Sequence, residues 1–371
     1  MTKKFKRIGV LTSGGDAPGM NAAIRAVARR ALSQGIEVVG IMGGYAGLLG
    51  AADTDNIEHI KRHHLRPLDS SSVSNIVTRG GTILYSSRCP EFKTKEGMEK
   101  ALRVCHEHQI DAIIALGGDG TFRGATDLTN HGIPSIGIPC TIDNDITATD
   151  QTIGFDTALN NACSMIDKLR DTAESHARCL VTEVMGNGCG YLSLYTGIAT
   201  GSISLTIPEI PFDKEFAINK INEARKKGKR GMIAIVSEGM PKVGDLEFGD
   251  ALAREIRERT IVDCRFNKLG HIIRGGDPTL RDRLTATQMG VEAVNLLLEG
   301  KSNMVMSILE NRVTALDINF ALVLDKMYKN KLKDGDLEGF TDYQLAQMRA
   351  RCEYRHAKIE RLYRLSYDIC I

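Results

Sequence analysis

The chain has 371 residues, 42% of them hydrophobic, and 48 Lys and Arg balance 46 Asp and Glu to leave a net charge of +2. That length favours two domains, or one large α/β domain with an elaboration, and the charge balance argues for neither a nucleic-acid nor a membrane partner. Nine cysteines at positions 89, 105, 140, 163, 179, 189, 264, 352 and 370 form no CxxC pair and are odd in number, so free thiols in a reducing cytosol are expected.

Arg7–Thr12 (RIGVLT) predicts a first buried strand rather than a secretory signal, because the apolar run stops at Thr12 and turns into Ser13-Gly14-Gly15-Asp16. A helix over about 21–34 and a strand at 37–42 complete a βαβ unit, with its glycine loop at the carboxyl end of the first strand, where open α/β sheets bind ligands. The loop lacks GxGxxG, so a dinucleotide site is not supported. Residues 51–72 are polar and crowd His59, Lys61, Arg62, His63, His64 and Arg66 together; without Cys or carboxylate spacing this reads as a solvated helix end. The middle third alternates: helix 156–174, strand 179–184, helix 192–200, strand 202–207, helix 212–227, strand 232–236, helix 248–259, helix 282–298 and an apolar run at 304–309. Repeated strand–glycine–helix order implies parallel sheets with right-handed crossovers. Residues 341–367 predict an Arg-rich surface or interface helix with a partial apolar stripe. No segment reaches the roughly 20 apolar residues of a membrane span.

Two stretches carry the chemistry. Ala112–Leu116 predicts a buried strand ending in Gly117-Gly118-Asp119-Gly120-Thr121, with a helix starting near Thr121. Glycines let backbone N–H groups approach a phosphate, the helix N-terminus favours its charge, and Asp119 is the natural carboxylate for a Mg²⁺ that also holds phosphate oxygens. The apolar run 133–139 then places Asp143 and Asp145 beyond a second strand end. Either piece alone fits ordinary turn or capping chemistry. Together they supply the parts needed to move a phosphoryl group.

In order, GVLTSGGDAPGMNAAIR at 9–25, NIVTRGGT at 75–82, SSRCPEF at 86–92, GGDGT at 117–121, TIDNDI at 141–146, RDT at 170–172, EVMG at 183–186 and LGHIIRGG at 269–276 closely resemble the bacterial-type ATP-dependent 6-phosphofructokinases, over Ile8 to roughly residue 310. The resemblance implies two doubly wound, mostly parallel, three-layer αβα domains. A nucleotide-binding domain would span 1–154 plus about 273–330, and a sugar-phosphate-binding domain 155–272 plus about 331–371. It implies a cytoplasmic glycolytic enzyme that moves the γ-phosphoryl of ATP to the 1-hydroxyl of fructose 6-phosphate with Mg²⁺, in a homotetramer whose subunits share active sites.

The site residues it implies are these. Gly15, Tyr45, Arg88, Cys89, Gly118, Asp119, Gly120 and Thr121 serve the nucleotide, with Asp119 the metal ligand. Asp143 is the general base, Asp145 supports the metal and Thr141 bonds the transferred phosphoryl. Met185, Gly186, Asn187, Glu238, His271 and Arg274 receive the sugar phosphate, with Arg178 and Arg265 reaching in from a neighbouring subunit. Arg25, Arg29, Arg170, Lys227 and Lys229 match a regulatory anion site, in which Ser70 and Ile203 depart from the family's arginine and carboxylate. Asn187 stands where the family usually has Arg, and Cys140 where ATP users have Gly and diphosphate users Lys; Gly120, which diphosphate users replace by Asp, points to ATP. The alternatives are a diphosphate-dependent enzyme, a weakened regulatory paralogue that binds phosphorylated ligands, and an NAD or lipid kinase, against which the 141–146 and 269–276 motifs speak.

Overall fold

Runs of Val, Ile and Leu without alternation suit strands covered on both faces, and the computed structural model, which describes residues 5–369, uses them so. The first four residues of the basic N-terminal stretch and Cys370 lie outside the described residues. In chain order, β1 (Arg7–Thr12), α1 (Met20–Leu32) and β2 (Glu37–Ile41) come first. α2 (Tyr45–Ala52), α3 (Ile57–His63) and β3 (Leu65–Leu68) follow. Next are α4 (Lys95–Glu107), β4 (Ala112–Gly117), α5 (Asp119–Asn130) and β5 (Ser135–Pro139). α6 (Phe155–Ser175) leads to β6 (Cys179–Val184), α7 (Tyr191–Ala199), β7 (Ser204–Thr206), α8 (Lys214–Lys226), β8 (Met232–Ser237), α9 (Phe248–Arg259) and β9 (Cys264–Lys268). The chain ends with α10 (Leu280–Leu298), β10 (Met304–Leu309), β11 (Arg312–Asp317), α11 (Ile318–Tyr328) and α12 (Asp342–Ile369).

These elements form two units. One takes the chain up to Thr141, Ile146–Asp156 and Gly275–Cys352; the other takes Ile142–Asp145, Thr157–Arg274 and the chain from Glu353 onward. The first holds a seven-stranded sheet in the order β11-β10-β5-β4-β1-β2-β3. Its centre is parallel, and both edge pairs, β10 with β11 and β2 with β3, are antiparallel. β1 steps one way to β2 while β4 steps the other way to β5. With right-handed crossovers, α1 and α5 therefore cover opposite faces, and the strand order reverses between β1 and β4. Open α/β sheets bind ligands beyond the carboxyl ends of strands at such a reversal. The loops after β1 and β4 meet there: Ser13 N–H donates to Leu116 O at 2.9 Å and the Thr121 hydroxyl to Ser13 O at 3.1 Å.

The second unit holds a four-stranded, all-parallel sheet in the order β7-β8-β6-β9. Its core of Val181, Ile203, Met232, Ala234, Val236, Leu252 and Ile256 lies between β6–β8 and the helices α8 and α9. The C-terminal helix adds one buried cation to the expected apolar stripe. α12 is a surface helix whose inner face is a buried stripe at steps of three and four, Met348, Cys352, Arg355, Ile359, Tyr363 and Ser366, and it encloses a charged residue, Arg355, at 2% exposure.

Candidate functional site

α5 starts two residues earlier than expected, so Asp119 is its first residue and Gly118 its cap. The carboxylate therefore sits at the N-terminal end of a helix, where negative charge is favoured. A Cβ built on Gly118 or Gly120 meets nothing within 4 Å, so the turn is open above its backbone. Tyr45 supports the turn from below. It is buried, its hydroxyl donates to Thr121 O at 2.6 Å, and its ring stacks on Phe92 with centroids 4.1 Å apart. Burial, and after it the Asp127 carboxylate, push the phenol well up. Gly15 and Arg88 are exposed, and Cys89 is half-buried against the core.

Two residues that sequence reasoning did not select complete this turn. Lys329, at the end of α11, places its ammonium 3.5 Å from Asp119 Oδ2 and 2.7 Å from Asp325 Oδ2. Asp325 accepts from the Thr147 hydroxyl at 2.7 Å and the Thr147 N–H at 3.2 Å. Burial opposes charge on Asp325, but contacts with Asp119, Lys329 and Thr147 outweigh it and hold its carboxyl below the usual range. The donor set fits Mg²⁺, which takes one or two carboxylate oxygens and fills the rest of its shell with water and substrate phosphate. Asp119 offers the oxygen and the open glycines the room; Lys329 competes for that oxygen.

Beyond β5, Cys140 is buried, its N–H donating to Gly117 O at 3.0 Å; burial and the Asp282 carboxylate push its thiol well up. It is thus a packing residue behind the strand end. Thr141 is half-buried, its carbonyl accepting from the Thr152 hydroxyl at 2.6 Å. Asp143 is 5% exposed, Asp145 is half-buried, and Asn144 between them holds a left-handed φ of 54°.

In the second unit the carboxyl ends of β6, β8 and β9 bring another group together. Glu238 accepts from the N–H groups of Gly186 and Asn187, each at 3.1 Å, and its own N–H donates to Val184 O at 2.8 Å. Its carboxylate is thereby fixed beside Met185. Asn187 is exposed with φ 50°, a conformation Asn tolerates better than most residues. Leu269 N–H bonds Glu183 O at 3.1 Å, so the turn Gly270–Arg274 starts at the same sheet edge. It carries exposed His271 and half-buried Arg274, and the Asn161 side chain anchors it by donating to Ile273 O at 3.1 Å.

Arg178 and Arg265 lie at the opposite edge, before β6 and early in β9. Both engage Asp263: Arg178 Nε at 2.7 Å and Arg265 Nε at 3.5 Å. Slight burial opposes ionisation of Asp263, but the Arg178 hydrogen bond and both guanidinium charges hold its carboxyl below the usual range. Of the regulatory candidates, Arg25 and Arg29 ride on α1, Arg170 on α6 donates to Thr200 O, and Lys227 and Lys229 follow α8. Ile203 is a core residue and Ser70 is exposed. Among the described residues no three His, Cys, Asp or Glu side chains gather as a metal cluster, and no helix is long and apolar enough to cross a membrane.

A glycine turn heading a helix at a strand-order reversal, with a carboxylate in its first residue, defines an α/β protein built to handle phosphate. Residues 7–297 match the family described as Phosphofructokinase, and the chain belongs to that family. It is 48% identical over 328 residues to the ATP-dependent 6-phosphofructokinase 1 of Clostridium perfringens, covering 88% of this chain and 97% of that protein. It is 47% identical over 314 residues to the ATP-dependent 6-phosphofructokinase of Bacillus subtilis, covering 85% and 93%. The solved phosphofructokinase of Saccharomyces cerevisiae superposes with a TM-score of 0.79 at 32% identity over 88% of this chain; the chain spans 46% of that longer one.

Proposed function

We propose that the protein transfers the γ-phosphoryl of ATP to the 1-hydroxyl of fructose 6-phosphate, giving the 1,6-bisphosphate and ADP. The observation that carries the reading is the open turn at Gly118–Thr121 with Asp119 at its head, on a chain nearly half identical to ATP-dependent enzymes along almost their whole length. Those relatives' names favour ATP over diphosphate and a working kinase over a regulatory paralogue.

Gly15 and the N–H groups at Gly118, Gly120 and Thr121 cradle the phosphates, with Arg88 and Cys89 at the nucleotide. Asp119 would carry Mg²⁺, with Asp145 in support, and the ion would supply positive charge against the transferring phosphoryl. Asp143 takes the proton from the sugar hydroxyl as its oxygen attacks phosphorus; a positioned carboxylate typically supplies about 10²–10⁴-fold. Thr141 donates to the phosphoryl. Glu238 receives sugar hydroxyls, with Met185, Gly186 and Asn187 lining their site. His271 and Arg274 hold the 6-phosphate, Arg through its bidentate fork.

Arg178 and Arg265 act on the sugar phosphate of a neighbouring subunit. Six strand residues separate Arg178 from Met185, about 20 Å at 3.3 Å per residue, too far to serve one small ligand in the same chain. If both arginines come from another subunit, the enzyme is an oligomer, a tetramer by family pattern. Arg25, Arg29, Arg170, Lys227 and Lys229 match the family's regulatory anion site, and Ser70 and Ile203, which offer neither its arginine nor its carboxylate, favour a changed effector. The test is Asp143→Ser in a coupled assay with fructose 6-phosphate and MgATP. Loss of at least about 100-fold in kcat with the fold intact is expected; near-parental turnover sinks the assignment of the base.

A further inference from the structure

The residues that bear the chemistry at 141–150 have partners that no family motif announced. We propose that Arg355, with Arg351 one turn earlier on α12, is a positioning residue for the Asp143–Asp145 segment, so that the C-terminal helix sets the geometry of the phosphoryl-transfer loop. This rests on the function proposed above.

Arg355 is fully buried, and its guanidinium donates to Asn144 O at 2.8 Å. That carbonyl belongs to the residue between the two aspartates, which holds a left-handed φ of 54°. Behind it the guanidinium lies 4.6 Å from the centre of the Tyr191 ring, which fixes its plane. A buried cation that bonds a backbone carbonyl and lies over an aromatic ring is held in one orientation.

Four residues earlier, Arg351 holds the far end of the loop. Its Nε donates to Thr147 O at 3.1 Å and its terminal nitrogen pairs with Asp150 at 2.7 Å. Asp150 in turn accepts from the Glu310 N–H at 3.0 Å, and its own N–H donates to Ile308 O at 2.8 Å. Asp325 takes the N–H and hydroxyl of Thr147 from the other side. α11 and α12 thus grip both ends of the segment, and both helices lie beyond residues 7–297 that match the family.

A displacement of about 1 Å at a reacting group can cost on the order of 100-fold in rate, so the predicted signature is a fall in kcat with substrate affinity kept. In the full-length protein, Arg355→Ala is expected to lower kcat about 10- to 100-fold while KM for fructose 6-phosphate and ATP stays within about threefold. Millimolar methylguanidine should recover part of the loss by entering the vacated space. Amide exchange of residues 142–147 should accelerate at least about tenfold while β4 and β8 stay protected. Arg355→Lys, which keeps one donor and the charge, should fall between; if Arg355→Ala does not fold, Arg355→Lys and Arg351→Ala carry the test. Arg349→Ala, exposed on the same helix, should change none of these. Exchange at 142–147 equal to the parent's in a folded Arg355 variant overturns the proposal, as does parental kcat. If the parent turns over neither substrate, the functional reading has failed, and the exchange data still decide whether Arg355 holds the loop.

Discussion

Tyr45→Phe removes one oxygen and separates two roles for this residue: contact with the nucleotide, or support of the turn beneath it. The hydroxyl is buried and donates to Thr121 O at 2.6 Å, and Gly124 makes room for the ring, since a Cβ there would come within 2.7 Å of it. Thr121 sits in the first turn of α5, so its carbonyl keeps the helical acceptor bond to the next turn when the phenol goes. The loss is then a net hydrogen bond of about 1 kcal/mol rather than the larger penalty of an orphaned carbonyl. For a unit of this size that lowers Tm by about 2–4 °C. Because the Gly118–Gly120 backbone remains in place, KM for ATP should stay within about twofold. Thermal melts and steady-state kinetics on the same preparation make the measurement. A tenfold rise in KM for ATP, about 1.4 kcal/mol of lost binding, with Tm unchanged would refute the reasoning and put the hydroxyl on the nucleotide.

Other outcomes follow from the same geometry. Gly120→Ala adds a methyl to open space, so Tm should hold while KM for ATP rises; a fall in Tm with unchanged KM would place the crowding inside the protein rather than over the turn. Lys329→Met removes the ammonium that shares Oδ2 of Asp119; half-saturating Mg²⁺ should fall about two- to fivefold, as expected for a partly exposed pair, and a rise would mean that the lysine holds the nucleotide instead. Burial chiefly, then His59 and His63, lower the His64 pKa, with Asp53 opposing. The unfolded chain therefore binds the proton at higher pH, and stability should fall as pH drops through about 6.5. His64→Gln should flatten that fall between pH 7.5 and 5.5, and an equally steep decline in the variant contradicts it.

Elements made of uninterrupted apolar runs were legible without coordinates. Arg7–Thr12 and Cys179–Val184 have the expected bounds because central parallel strands are buried on both faces and so are mostly apolar. The edges were not. β9 reads Cys-Arg-Phe-Asn-Lys and pairs only with β6, β3 carries Pro67 at the sheet margin, and β11 closes the far side antiparallel. Edge strands bury less, so their sequences lack the pattern that marks a strand. Among the site residues, Asp119 and Asp143 announced themselves by glycine and strand context. Glu238, His271 and Arg274 came only through resemblance, because isolated charges carry no local signature. Lys329, Asp325, Arg351 and Arg355 were missed because charged side chains on helices are ordinarily solvated, and only packing shows which are enclosed. The Arg-rich composition of 341–367 was the available signal; the place of Arg355 in the stripe with Cys352 and Ile359 would have singled it out.

The central claim is that this chain phosphorylates fructose 6-phosphate from ATP. Initial rates on the purified full-length protein with Mg²⁺, comparing ATP and diphosphate as donors at equal concentration, test it most directly. The account predicts saturable turnover with ATP, abolished by chelating Mg²⁺, and at most a trace with diphosphate. Faster turnover with diphosphate, or none with either donor from a folded protein, would contradict it.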